Sequence, residues 1–176
     1  MRSDKTLRLT QGAAIAAAYV ILTFISNAFS LASGVIQVRI SEALCILPFF
    51  TPAAIPGLFV GCLLSNLLTG CALLDVVFGS LATLAGALGT WQIGSFIKSR
   101  QHADNRRFSL MNLLLPLPPV IANTLTVPFV LAYVYGFEGS VPYFMLTVGI
   151  GELISCGLIG MLLFPFFDKN KELLFR

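Results

Sequence analysis

The sequence predicts an all-α integral membrane protein: one bundle of six transmembrane helices with both chain ends in the cytoplasm. Three observations predict it. Hydrophobic residues make up 57% of the chain and charged ones only 11%, where a soluble domain carries about a quarter charged residues. Residues 9–74 hold just two charges, Arg39 and Glu42, so this long stretch is bilayer material. Every other basic residue falls in one of three short segments: Arg2, Lys5 and Arg8; Lys98, Arg100, Arg106 and Arg107; and Lys169, Lys171 and Arg176.

The positive-inside rule puts those three segments in the cytoplasm, so each stretch between them crosses an even number of times. Residues 9–97 suit four crossings of about 20 residues each, and residues 108–167 suit two. The first helix is expected over about 9–31, ending near Ser33 and Gly34. Its basic start runs into a full-length apolar span with no early small-residue cleavage site, so it is expected to be retained. The second helix is short, about 41–50, and is stopped by the turn at Thr51 and Pro52. The third covers about 54–69 and ends at Gly70, and the fourth covers about 75–98. The fifth, about 109–135, carries Pro116, Pro118, Pro119 and Pro128, so it is expected to kink. The sixth covers about 141–167, after a turn over residues 136–140. Residues 1–176 are read as a single transmembrane domain, too short to add a soluble catalytic one.

With that topology, each buried polar residue acquires a depth. Gln37, Arg39 and Glu42 sit at the outer end of the second helix or the loop before it, with Asn66 near the outer end of the third. Asp75 opens the fourth helix from outside, Asn123 lies at mid-depth in the fifth, and Glu152 lies well inside the sixth. The inner half offers little beyond Gln92 and hydroxyls, so the pattern describes a pocket open outward and closed below. It does not describe a continuous pore. Plainer readings exist: Arg39 and Glu42 as an i,i+3 ion pair with Ser41 as N-cap, and Asp75 as a helix cap. Asn66 and Asn123 can be interhelical glue. Glu138 reads as a solvated loop charge, Trp91 as an interfacial anchor and His102 as part of a basic loop.

The first helix also carries small residues at two overlapping registers, Ala13 with Ala17 and Ala14 with Ala18. Such a face admits close approach of another helix, either within the bundle or from a partner protein. Cys45, Cys62, Cys71 and Cys156 lack any CxxC or CxxH spacing and read as small packing residues. No phosphate loop, HExxH or GxSxG motif is present, and the carboxylates lack the His or Cys company that would suggest a metal or nucleophile site. The chain is therefore not expected to be an enzyme, and no cofactor, metal or nucleic-acid partner is expected. A stand-alone channel or secondary carrier would need polar residues through the inner half or a repeat, and neither is visible.

The string QVRISEALCILPFFTPAAIPGLFVGC, then Asn66, Gly70, Asp75 and FGSLATLAGALG, resembles the queuosine-precursor transporter (QueT) family. These are substrate-binding S components of energy-coupling factor (ECF) transporters. The likeness covers roughly residues 10–167, with residues 37–84 the specific part. It implies a multi-pass protein of the bacterial cell membrane, with the bundle fold of an ECF S component. It also implies a chain that binds substrate outside and releases it inside when coupled to a T component and two ATPases. The alanine pattern resembles the AxxxA motif with which S components dock on the T component. The implied cargo is a 7-deazaguanine: the nitrile base preQ0, the aminomethyl base preQ1, or queuine. A buried carboxylate can accept the ring N–H and the exocyclic amine side by side, with amides completing the edge. Glu152 is the expected carboxylate, beside Asn123 or Asn66. Arg39 is expected to donate to the carbonyl, and Glu42 or Asp75 to meet a cationic substituent. Phe129, Tyr133, Tyr143 and Phe144 lie at depths suited to stacking on the ring.

Overall fold

A computed structural model describes residues 4–31, 37–101 and 110–175. The expected end of the first helix at Ser33 and Gly34, and His102, Arg106 and Arg107, lie outside the described residues. Among those described, all regular structure is helical. The α-helices are α1 (Asp4–Ala28), α2 (Ala54–Leu68), α3 (Leu73–Gln101), α4 (Leu117–Tyr133), α5 (Val141–Glu152), α6 (Met161–Lys169) and the short α7 (Lys171–Leu174). A 3-10 helix, Ile40–Phe49, stands between α1 and α2, and a shorter one, Leu110–Leu114, leads into α4.

Among the described residues, four stretches are long and apolar enough to cross a bilayer: Lys5–Ala28, Leu73–Arg100, Leu110–Tyr133 and Val141–Lys169. Ile40–Phe49 and Ala54–Leu68 are the shorter apolar helices expected as the second and third crossings. The amphipathicity is inverted relative to a soluble protein. Leu9, Phe29, Leu73, Leu146 and Leu162 are exposed, whereas Ser41, Glu42, Ser65, Asn66 and Thr83 are buried. An apolar exterior and a polar axis are the arrangement a lipid solvent selects.

The second segment differs from the α-helix its composition predicts. Three residues per turn align its side chains in three straight rows, and a rise of about 2.0 Å per residue stretches ten residues over roughly 20 Å. Pro48 contributes no N–H to an α-type ladder. The row of Leu44 and Leu47 enters the apolar core around Tyr19 and Leu58. The row of Ile46 and Phe49 enters a second core with Ile97, Leu115 and Phe164. The third row carries Glu42 above Cys45, and the Cys45 thiol donates to Glu42 Oε2 at 3.0 Å.

Helices α1 to α5 pack each on the next, and the 3-10 helix joins α1, α3 and the segment after α5. Two helix ends are turned by glycines at positive φ, Gly70 (φ 75°) after α2 and Gly136 (φ 63°) after α4. The α1–α2 seam depends on Gly57 and Gly61. A Cβ at Gly57 would lie 2.8 Å from the Gly12 carbonyl oxygen, and one at Gly61 2.8 Å from Tyr19 Cβ. The faces of α1 thus divide: Gly12 and Ala16 meet α2, while Ala13, Ala14 and Ala17 remain exposed and Ala18 half-buried. Gly61→Leu is expected to destabilise the chain by about 1–3 kcal/mol, the usual cost of overpacking. A thermal melt of the detergent-purified variant checks this; an unshifted midpoint would place the seam elsewhere.

The bundle has two unlike ends. At one, Gln11 meets Thr51 at 3.1 Å and Phe50 stacks on Phe175 at 5.7 Å between ring centroids. There Lys98 Nζ donates to the Phe49 carbonyl and lies 4.6 Å from the Phe49 ring centroid, closing the last turn of the 3-10 helix. Lys5, Arg8, Lys98, Arg100, Lys169 and Lys171 gather towards this end, which aromatic packing seals. The polar cavity opens at the other.

Candidate functional site

The cavity encloses about 650 Å³ between the ends of α1, α2, α3, α4 and α5. Arg39, Asn66, Asp75 and Tyr143 line it, together with Gln37, Tyr135, Glu138 and Phe144. Beneath lies a recess of about 20 Å³, lined by Glu42, Asn123 and Glu152 with Cys62, Gly79 and Thr83. Gln37, Arg39 and Val148 belong to both walls, so the guanidinium-bearing strand separates the wide space from the narrow one. Residues from five separate parts of the sequence therefore converge. Of the ten residues expected at the site, all but Phe129 and Tyr133 line one space or the other.

The position of Arg39 is set by a close backbone contact. A Cβ on Gly151 would fall 2.1 Å from the Gln37 carbonyl oxygen, so residues 37–39 can lie against α5 only because Gly151 has no side chain. Next along the chain, the Ile40 N–H donates to Ser26 Oγ at 2.9 Å, and Thr23 Oγ1 donates to Ser41 Oγ at 3.0 Å. These bonds tie the start of the 3-10 helix to α1. Ser41 is thus a tether inside the helix, not its N-cap.

Arg39 and Glu42 do not form an ion pair. Glu42 turns away and accepts from Tyr19 Oη and Cys45 Sγ. Arg39 is half-buried with no carboxylate in ion-pair contact among the described residues, and Asp75 and Glu42 are among the charges acting on it. A guanidinium at a cavity wall with its donors uncommitted is suited to receive a ligand acceptor.

Glu152 ends α5, and Asn123 Nδ2 of α4 donates to its Oε1 at 2.9 Å. Beyond it the chain continues as a π-helix, Leu153–Gly160, a widened turn of the kind frequent at functional sites. Cys156 in that segment donates to the Glu42 carbonyl oxygen at 3.1 Å and approaches Glu152 Oε2 at 3.6 Å. Cys45 and Cys156, expected as packing residues, thus also donate to or approach carboxylates at the i,i+3 and i,i+4 spacings that share a helix face. Ligand atoms of Glu42, Cys45 and Cys156 lie within 4.8 Å of one another, and both thiols act as hydrogen-bond donors to Glu42.

Asp75 lies in the first turn of α3 but does not cap it. Its Oδ2 accepts from Tyr135 Oη at 2.9 Å, and the same phenol oxygen accepts from the Ala72 N–H at 3.0 Å. Burial, with the Asp75 carboxylate beside it, pushes the Tyr135 phenol up to about 12, so it remains a neutral donor near neutral pH. Asn66 joins Asp75 over Gly79: a Cβ there would meet Asn66 Nδ2 at 3.2 Å and Asp75 Oδ1 at 3.5 Å.

Phe129 and Tyr133 line neither space. They stack on each other at 6.4 Å between centroids on the exposed side of α4, one helical turn apart, whereas Val130 and Leu131 face inward. The aromatic walls come instead from Tyr135, Phe137, Tyr143 and Phe144. The double substitution Phe129→Ala, Tyr133→Ala is expected to leave ligand affinity within about twofold, since neither ring reaches the cavity. A loss of tenfold or more in a binding titration would return them to the site. Tyr19 and Tyr135, which fix the two carboxylates, escaped the sequence reading. Tyr19 looks like core in an alanine-rich helix, and Tyr135 lies just before a glycine turn.

An apolar-surfaced helical bundle around a polar cavity open at one end is the architecture of a membrane protein. The QueT transporter family pattern matches residues 9–169. The chain belongs to the QueT transporter family, a family of multi-pass cell-membrane transport proteins. It is similar to a protein of Lactococcus lactis subsp. cremoris (strain MG1363) named queuosine precursor transporter QueT, with 38% identity over 84 residues. That match covers 48% of this chain and 49% of the relative, so it spans about half the relative's length. No solved structure matches the chain.

Proposed function

We propose that this chain is the substrate-binding membrane subunit of an ECF-type importer for a queuosine precursor of the 7-deazaguanine class. The observation that carries the reading is the pairing of an uncommitted Arg39 with the Asn123–Glu152 pair across one closed-ended cavity. The flat base lies in the wide space between Tyr143, Phe144 and Tyr135, and only its hydrogen-bonding edge reaches the recess. Glu152 accepts the ring N–H and the exocyclic amine, held in orientation by Asn123. Arg39 donates to the adjacent carbonyl oxygen of the base.

Release requires another source of energy, because the chain has no nucleotide-binding loop. The aromatic packing at the basic end supports the same reading, since Phe49, Phe50 and Phe164 close that end with apolar side chains. The exposed Ala13, Ala14 and Ala17, with Ala18 at their edge, form the surface on which the T component docks, and two ATPases drive the cycle. Co-expression tests this: the chain is expected to copurify with a T component and ATPases and to support ATP-dependent uptake of labelled precursor. Uptake by the chain alone at the same rate would favour a stand-alone carrier instead.

A further inference from the structure

The cavity carries more carboxyl groups than cations. Its wide space is lined by Asp75 and Glu138, and the recess by Glu42 and Glu152, against Arg39 as the one cationic wall residue among those described. In a cavity only partly open to bulk water, carboxylates in surplus are compensated by a cation or left at a cost. Resting on the 7-deazaguanine reading above, we infer that the site selects precursors whose 7-substituent carries an ammonium group, with Asp75 as the acceptor, over the neutral nitrile.

Asp75 is the carboxylate built for that contact. It is 5% exposed, and Tyr135 holds its Oδ2 while Oδ1 makes no hydrogen bond among the described residues. That free oxygen lies on the Gly79 side, next to the Asn66 amide. The other three are less suited. Glu42 is occupied by Tyr19 and Cys45, Glu152 is engaged with Asn123 at the base-binding edge, and Glu138 is exposed at the mouth. A base with its amine and ring N–H edge on Glu152 and its carbonyl on Arg39 projects its 7-substituent from the carbonyl side, past Arg39, where Asp75 is the carboxylate acting most strongly on that guanidinium. A methylammonium group there can reach Asp75 Oδ1. The volume of about 650 Å³ leaves room for a bulkier secondary ammonium as well.

The test is a calorimetric titration of the purified full chain with three ligands: the aminomethyl base, its N-acetyl derivative and the nitrile base. The aminomethyl base is expected to bind at least roughly tenfold tighter than either neutral ligand, the scale of one charge-assisted hydrogen bond. Asp75→Asn is expected to shrink that ratio to within about threefold. Equal binding of all three by the wild-type chain would overturn the ammonium inference and leave the 7-deazaguanine reading standing. Binding of none would remove both. An undiminished ratio in Asp75→Asn would overturn the role of Asp75. Should that variant fail to fold, the wild-type ratio between the amine and its acetylated form still decides the selectivity.

Discussion

Gly151→Val is expected to lose about a hundredfold or more in affinity for a 7-deazaguanine, although residue 151 touches no ligand. The cause is steric. The first added carbon falls 2.1 Å from the Gln37 carbonyl oxygen, well inside van der Waals contact, and the neighbouring Gln37 backbone atoms are also close. No side chain can turn aside to relieve this, so the segment carrying Gln37 and Arg39 must move. Both residues line the wide space and the recess together, and both would lose their geometry at once. Hydrogen bonds to charged groups contribute about 1.5–3 kcal/mol each, or roughly tenfold to a hundredfold in affinity per bond. Gly151→Ala already carries the offending carbon and is expected to fall between the two. A titration beside a thermal melt separates lost site geometry from lost fold. Affinity within threefold of wild type would show that residues 37–39 do not shape the site.

Glu152→Gln carries the second large effect. The amide preserves size and retains an oxygen for Asn123 Nδ2, which donates to Oε1 at 2.9 Å in the native chain. What it removes is a second acceptor oxygen, replaced by an NH2 that points donors at donors. The base would then face one matched and one opposed contact in place of two charge-assisted ones. Affinity is expected to fall by roughly tenfold to a hundredfold, with the melting temperature in the absence of ligand little changed. Glu152→Ala should cost stability as well, because it strands the buried Asn123 amide without its acceptor. Unchanged affinity in Glu152→Gln would remove that residue from the site.

Much of the site was legible in the sequence because a bilayer makes polar residues expensive and therefore informative. Arg39, Glu42, Asn66, Asp75, Asn123 and Glu152 stood out in apolar runs, and the structure gathers them around two connected spaces. The basic segments marked one end of the bundle, and the described ones do gather away from the cavity. What the sequence hid was direction. A helical residue's depth follows from its position along the span, but its facing depends on the neighbouring helices. Phe129 and Tyr133 therefore had plausible depths and outward faces, while Tyr135, beyond the end of α4, reached back to Asp75.

Backbone departures were equally invisible. Nothing in the composition of Ile40–Phe49 announces a ten-residue 3-10 helix, yet its three-residue turn is what sets Glu42 directly above Cys45. The widened turn over Leu153–Gly160 is likewise a tertiary outcome, bringing Cys156 against the Glu42 backbone. The small residues of α1 do not by themselves show which helix they meet: the close internal contact is made by Gly57 and Gly61 of α2 against Gly12, Ala16 and Tyr19. The Ala13–Ala17 register stays exposed.

The central claim is that the cavity between Arg39 and Glu152 recognises the edge of a 7-deazaguanine. Equilibrium titration of the purified wild-type chain with a 7-deazaguanine and, separately, with adenine tests it most directly. Adenine lacks a ring N–H beside an exocyclic amine on that edge, so Glu152 cannot take both of its contacts. Saturable one-to-one binding of the deazaguanine, with adenine failing to compete, is the predicted result. Equal binding of adenine, or no saturable binding of the deazaguanine, would contradict it.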